Sequence, residues 1–234
     1  MAIPKKKPIL TTVQQLDEWS PSLLKSRLYG LLLVDIIIGE LAPGERLDEQ
    51  VLTHRYGGGL AGIREALARL ALEGLVQRRA RVGTIVAPLD LMEAREAFEA
   101  RAHIEIECAR LAAAKASDAD IAAIRATLKG GEAAVRANDA RALAAMDEAF
   151  HVAVARASGN RTLAKMVTLL HHQTARYWLY TMRGPEADES LKALAEHAAL
   201  ADVIATRNPA RAAEQMRRVL GSFPADVKRS LEAG

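Results

Sequence analysis

A mainly α fold is expected for this chain of 234 residues. Three helices closed by a small β-hairpin outline an N-terminal winged helix-turn-helix, and a C-terminal all-α antiparallel bundle of about six helices follows. Three observations predict this. Half of the residues are hydrophobic while aromatics make up only 4%, so the core is aliphatic and rich in the helix formers Ala and Leu. The apolar spacing is helical up to Gly74 and then changes to short β-branched runs, "LVQRR" and "GTIVAP", around Ala80-Arg81-Val82-Gly83; that change marks a hairpin. From Asp90 onward only helical spacing is visible.

The elements follow in order. Ser20-Pro21 pairs a cap residue with a first-turn proline. Leu23, Leu24, Leu28, Leu31, Leu32 and Ile36 continue at helical spacing until Gly39. Pro43-Gly44 in "LAPGERL" makes a turn. A short helix is expected over about 48–55, and glycines 57–59 break the chain. A third helix over about 60–73 puts Ile63, Leu67 and Leu70 on one face, with Gly74 as its stop. With the hairpin, this unit spans 20–88. Six helices are then expected near 91–116, 119–137, 140–157, 161–182, 186–206 and 209–231. Their boundaries are Ser117 with Asp120 (a capping-box pattern), Asn138-Asp139, Ser158-Gly159-Asn160, Gly184-Pro185 and Asn208-Pro209. Short connections favour antiparallel packing in one unit over 90–232. Residues 1–19, with Lys5-Lys6-Lys7, are expected to form a flexible solvated tail.

Composition excludes several classes. The single cysteine, Cys108, forbids an intramolecular disulfide and fits a reducing compartment. No apolar run approaches the roughly 20 residues of a membrane span, and a cytoplasmic protein is expected. Neither a glycine-rich phosphate loop nor a nucleophile motif is present. The net charge is only +3, so nucleic-acid binding must rest on where the charges sit. The third helix is the one whose start should enter a major groove. Arg64, one turn in, has the fork to bind a phosphate or a guanine edge; the competing reading is an ion pair with Glu65 or Glu73. Arg78, Arg79 and Arg81 surround the hairpin turn, where they suit phosphate or minor-groove contact or simple solvation. In the helical part, Asp147 and His151 lie four apart and share a helix face. A carboxylate and an imidazole so placed can ligate a divalent metal or merely hydrogen-bond to each other.

"GELAPGERLDEQVL" followed by "IREALARLALEGLVQRRARVGTIVAPL" resembles the DNA-binding domain of the GntR family of bacterial transcription regulators. The matching residues include Leu41-Ala42-Pro43-Gly44, Glu49, Arg64-Glu65-Ala66-Leu67, Glu73-Gly74-Leu75-Val76 and the wing glycine Gly83. The helical part resembles the FCD effector domain of the FadR-type subfamily, through Arg101 with Glu105, Asp147 with His151, Ser158-Gly159-Asn160 and His197. The resemblance implies a homodimer on a palindromic double-stranded operator, most often a repressor. It also implies a small carboxylate effector in the helical domain, and in many members a divalent metal such as zinc. It places His197 opposite Asp147 and His151 as a third metal ligand, assigns Arg101 to the effector carboxylate, with an internal ion pair to Glu105 on the same helix face as the competing reading, and puts a fourth ligand at position 219. That position is Val219, so the site reduces to Asp147, His151 and His197. Zinc tolerates three protein ligands plus water or a substrate oxygen. His171 or His172 is a candidate substitute, but both are expected on a surface or in a seam between helices.

One stretch departs from the family. Gly57-Gly58-Gly59-Leu60-Ala61-Gly62 stands where relatives carry a small residue, Val, Ser, Arg, Thr and Pro. Gly59, Leu60 and Ala61 lack the side chains that bond DNA at the helix start, and Gln50 on the second helix stands where many relatives have a longer or charged residue. Three explanations follow. Backbone N–H groups still hold phosphate, with Arg64, Gln50 and the wing supplying specificity. Alternatively, specific recognition is weakened, leaving a dimeric ligand- and metal-binding protein. Or the segment is altered relative to an ancestor. A metal-dependent helical-bundle enzyme is a further class, but it leaves the hairpin unit without a role. The first explanation is the expectation carried forward, and no catalytic residues are assigned.

Overall fold

The computed structural model describes residues 21–181 and 187–221, with side chains within 27–177 and 189–221. The expected tail over 1–19, the Ser20 cap, the Gly184-Pro185 break and the far end of the helix expected to reach 231 lie outside the described residues.

The N-terminal unit consists of α1 (Pro21–Ile37), α2 (Glu49–Tyr56), α3 (Gly59–Leu72), β1 (Val76–Arg79) and β2 (Gly83–Val86). Asp48 starts α2 by accepting from the N–H groups of Gln50 and Val51. The strands pair antiparallel, Val76 opposite Val86 and Arg79 opposite Gly83. "LAPGERL" does more than turn: Arg46 makes a single antiparallel bridge to Ile85, so the segment lies along the outer edge of β2. Leu28, Leu32 and Ile36 of α1 meet Leu52, Ile63, Leu67, Leu70 and Val86 in one core. Each such aliphatic side chain, fully buried, contributes roughly 1.5–3 kcal/mol.

The glycines have a conformational reason. Gly57, Gly58 and Gly59 all have φ near +75°, where an L side chain is strained. Gly58 is the left-handed N-cap of α3 and offers no capping side chain. A Cβ on Gly58 would lie 2.5 Å from Leu28 Cδ1, and one on Gly62 2.7 Å from the same atom. Missing side chains therefore let the start of α3 settle onto the buried Leu28.

The bundle contains α4 (Leu91–Lys115), α5 (Asp118–Thr127), α6 (Gly131–Arg136), α7 (Ala140–Ala157), α8 (Arg161–Thr181), α9 (Ala187–Ala205) and α10 (Pro209–Leu220). The Ser117–Asp120 capping box is complete, and Asn208 caps α10 ahead of Pro209. The single helix expected over 119–137 is two helices, making seven rather than six among the described residues. Gly130 adopts φ +84° between them. A Cβ on Gly131 would approach Leu194 and Met146 within 2.9 Å, so α6 turns in against α9 and α7. Ile124, Phe150, Val154, Leu200, Ile204 and Met216 form the main aliphatic core. The N-terminal core extends to Ala144 of α7 and Ala175 of α8, which makes these two helices the floor on which the hairpin unit rests. No helix among the described residues is long and apolar enough to cross a membrane.

Candidate functional site

Four helices build a buried polar cluster inside the bundle. On α7, the four-residue spacing puts Asp147 and His151 on one face; α9 brings His197, α4 brings Arg101 and Glu105, and α8 brings His171 and Thr174. His197 Nε2 lies 3.2 Å from Asp147 Oδ1, and His151 Nε2 lies 3.7 Å from the same oxygen. The two Nε2 atoms are 3.3 Å apart. These three residues form a group able to hold a metal ion. Leu128, Leu143, Met146 and Leu194 wall an opening that reaches Asp147 and His197.

The surrounding groups settle the tautomers. Ala193 O, which can only accept, sits 2.6 Å from His197 Nδ1. The Glu105 carboxylate likewise takes His151 Nδ1–H. Both Nε2 atoms therefore face Asp147 as lone pairs unless a proton or cation lies among them. This is the arrangement that orients metal-binding imidazoles, in which the outer nitrogen donates to a carboxylate or carbonyl. Without a metal, a proton fills the role. Burial disfavours the His151 imidazolium, but Glu105 and Asp147 outweigh it and raise the pKa to about 9. Asp147 is held well below the usual carboxylate range because His151 overcomes its desolvation. His171 is pushed well down by burial and by Arg101, so it stays neutral.

Arg101 is buried. Its Nε donates to Glu105 Oε1 at 2.5 Å and its Nη1 to Thr174 Oγ1 at 3.0 Å. The internal ion pair with Glu105 is thus made in this state. Val219 packs against the aliphatic core and brings no donor to the site. His103 is exposed. Cys108 is buried, and burial with the Glu105 charge pushes its thiol up to about 12, so it is an inert core residue. Asn160 caps α8, accepting from the N–H groups of Thr162 and Leu163.

On the hairpin unit, Gln50, Gly59, Ala61, Arg64, Arg78, Arg79, Arg81 and Gly83 are exposed and Leu60 is half-buried. Arg64 Nε donates to Glu49 Oε2 at 2.7 Å, so its internal partner is Glu49 on α2, neither Glu65 nor Glu73. Its side chain remains 60% exposed, which leaves the outer nitrogens of the fork open. Arg78, Arg79 and Arg81 have no ion-pair partner among the described residues, and Arg81 turns the hairpin with φ +65°.

The sequence reading missed the seam between the two units. Glu73, the C-cap of α3, accepts from Tyr29 and lies 3.2 Å from His172 Nδ1; His172 Nε2 lies 2.9 Å from Glu148 of α7. Burial opposes charge on His172, but Glu148 and Glu73 prevail and raise its pKa to about 9. Buried Asp35 of α1 takes Arg55 and Tyr56 of α2 and Arg141 of α7. Arg176 of α8 donates to the carbonyls of Ala87 and Pro88 at 3.0 and 2.6 Å, clamping the exit from the wing. Consecutive residues thus face opposite ways: Asp147 and His171 look into the pocket, while Glu148 and His172 look into the seam.

Residues 24–86 match the family described as bacterial regulatory proteins, gntR family, and residues 96–222 match the FCD domain. The chain is similar to the HTH-type transcriptional repressor GlaR of Escherichia coli K12, 33% identical over 82% of this chain and 90% of the relative. It is also similar to the HTH-type transcriptional regulator LutR of Bacillus subtilis 168, 30% identical over 76% of this chain and 89% of the relative. Its fold resembles that of E. coli McbR/YncC, with a TM-score of 0.79 at 18% identity over 89% of this chain and 98% of that one. A GntR regulator from Rhodococcus sp. RHA1 follows at 0.71 and 19%, over 88% and 97%.

Proposed function

Because the chain belongs to the gntR family of bacterial regulatory proteins and carries an FCD domain, and is a transcription regulator rather than an enzyme, we propose the following working cycle. It is a cytoplasmic repressor that binds a palindromic operator as a homodimer. Residues 20–88 read DNA, and residues 90–232 bind a small organic acid and dimerise. Asp147, His151 and His197 hold a divalent cation such as zinc.

The observation that carries the ligand reading is the charge of the pocket. Once the proton on His151 is displaced the imidazoles are neutral, and Arg101 then balances only one of the two carboxylates, Glu105 and Asp147. One negative charge remains in a largely buried space, facing two imidazole lone pairs. A bound divalent cation would turn that single negative charge into a single positive one and offer an open coordination position, the complement of a small carboxylate. The chain's own groups do the rest. Glu105 and Ala193 O fix the two rings, the leucines and Met146 exclude water, and Arg101 supplies N–H groups to a carboxylate that competes with Glu105. Any shift of α7 or α8 around the bound acid moves Glu148, His172, Arg141 and Arg176, which grip α1, α3 and the wing exit. Couplings of this kind are typically worth about 1–3 kcal/mol.

On the DNA side, Arg64 and Gln50 read or position the duplex, and Arg78, Arg79 and Arg81 meet phosphates or a minor groove. The start of α3 at Gly59, Leu60 and Ala61 contributes backbone N–H groups alone, and Gly83 lets the wing approach closely. The repressor role is supported by the likeness to GlaR. A second reading is favoured by one observation: Gly59, Leu60 and Ala61 offer no hydrogen-bonding side chain. On that reading the chain senses a ligand with weakened operator recognition.

The test is fluorescence anisotropy of DNA from upstream of the protein's own gene, with zinc and a panel of small organic acids. At least one acid changes the affinity, and His197→Ala abolishes the response while the protein still binds DNA. A panel without effect on a zinc-loaded, DNA-bound protein counts against an acid effector.

A further inference from the structure

Among the described residues, His171 is the one buried histidine of the pocket whose Nδ1 no protein group engages. It is 1% exposed, and its Nδ1 is a buried side-chain nitrogen with no hydrogen-bond partner among the described residues. His151 and His197 differ, since each Nδ1 is committed to a protein acceptor. The Nε2 of His171 lies 3.7 Å from Asp147 Oδ2, too long for a hydrogen bond. Its ring centre is 5.5 Å from that of His151. His171 therefore faces the same carboxylate as the other two imidazoles, from the opposite oxygen, with no hydrogen bond to its Nδ1 among the described residues to fix its tautomer.

The spacing of the donors is that of a coordination shell. Bonds of about 2.0–2.1 Å to a tetrahedral ion put donor atoms about 3.4 Å apart. Asp147 Oδ1, His151 Nε2 and His197 Nε2 are separated by 3.2, 3.3 and 3.7 Å. They make three corners of such a shell, and the fourth is open. His171 comes from α8, a helix that contributes none of these three. No other histidine borders Asp147: His172 is engaged by Glu73 and Glu148 in the seam.

We infer that His171 is the fourth protein donor to a divalent cation held by Asp147, His151 and His197, moving its Nε2 from beside Asp147 Oδ2 onto the ion. This inference rests on the cation reading above. Coordination through Nε2 leaves the proton on Nδ1, so the pocket then presents one N–H with no protein acceptor. A carboxylate oxygen of the effector is the acceptor it suits, and the cation and the effector thereby share a residue on α8.

X-ray absorption of the full-length protein loaded with one equivalent of zinc per chain counts the imidazoles directly. Three imidazoles in the wild type, falling to two in His171→Ala with at least about tenfold weaker zinc binding by competition with a chelator, supports the inference. Two imidazoles in the wild type, or an unchanged shell in the variant, overturns it while leaving the three-residue cation site standing. A wild-type protein that takes up no zinc removes the cation reading itself, and His171 with it. The wild-type count needs no variant, and thermal unfolding of metal-free His171→Ala and His171→Gln shows whether a weakened site reflects lost structure.

Discussion

The start of α3 and the pocket on α7 place function in opposite ways. At the start of α3 the side chains are gone: three consecutive residues have positive φ, the N-cap offers no side-chain bond, and on the proposed reading contact with DNA falls to backbone and to Arg64 one turn later. In the pocket the side chains do everything: two carboxylates, three imidazoles and a guanidinium are packed within one another's reach and each tunes its neighbours. The difference is between a surface that has lost side-chain chemistry and an interior built from it. Substitutions in the two regions should therefore be felt in different measurements.

The largest effect is expected at Glu105. Glu105→Gln leaves the buried Arg101 without its counter-charge and His151 without its anchor. Removing one partner of a buried pair costs about 3–5 kcal/mol, read by urea unfolding at pH 7. Glu105 also gives the contrast a pH signature. Its burial favours the neutral form, yet Arg101 and His151 pull the carboxyl from 4.5 down to about 2. A group whose folded pKa lies below its unfolded value stabilises the fold above the unfolded value and loses that contribution as pH falls through the folded one. Wild-type stability should thus decline between about pH 4.5 and 2, and Glu105→Gln should flatten that part of the curve. An unchanged slope would show that the pair does not hold the pocket together.

The glycines come next and divide among themselves. Gly58→Ala meets both a strained φ and the Leu28 side chain, and should cost more than the roughly 1–2 kcal/mol of left-handed strain alone. Gly59→Ala has the same φ but open space around its Cβ, so it should cost only that strain. Equal melting temperatures for the two variants would mean that the contact with Leu28 is relieved without cost.

Arg64→Ala should leave unfolding nearly unchanged, because its pair with Glu49 is exposed and such pairs contribute about 0–1 kcal/mol. On DNA it should cost about 1–3 kcal/mol if the fork contacts a base. A folded variant with wild-type affinity would remove Arg64 from the interface.

How much of this was legible in the sequence depends on the range of the cause. Asp48, Ser117, Asn160 and Asn208 act on their own next turn, so the boundaries they set were readable. The shift from helical to alternating spacing after Gly74 exposed the wing. The split between α5 and α6 was missed because helical spacing runs through Leu128-Lys129-Gly130, and the turn is driven by the close approach of Gly131 to Leu194 and Met146, which is tertiary. Asp147 and His151 were visible as a pair because they share a helix face. Glu105 could be named only as a partner for Arg101, not as the anchor of His151, and the role of His171 was hidden, since both depend on which helices become neighbours. One signal was available for His171: it is a polar residue in the stripe Val167, His171, Thr174 and Ala175, whose spacing is that of a buried face. The seam was out of reach, because Glu73 and His172 lie 99 residues apart.

Whether a helix that begins with glycines still reads a sequence is the point on which the regulatory account turns. The direct measurement is the dissociation constant of the full chain for a duplex from upstream of its own gene, against a shuffled duplex of the same length and composition, at one fixed salt concentration. Specific recognition predicts a preference of at least about 10³ for the native duplex, strongest in the metal and effector state that favours repression. Equal affinities for the two duplexes in every such state would contradict it, and would leave a ligand-sensing protein whose hold on DNA is electrostatic alone.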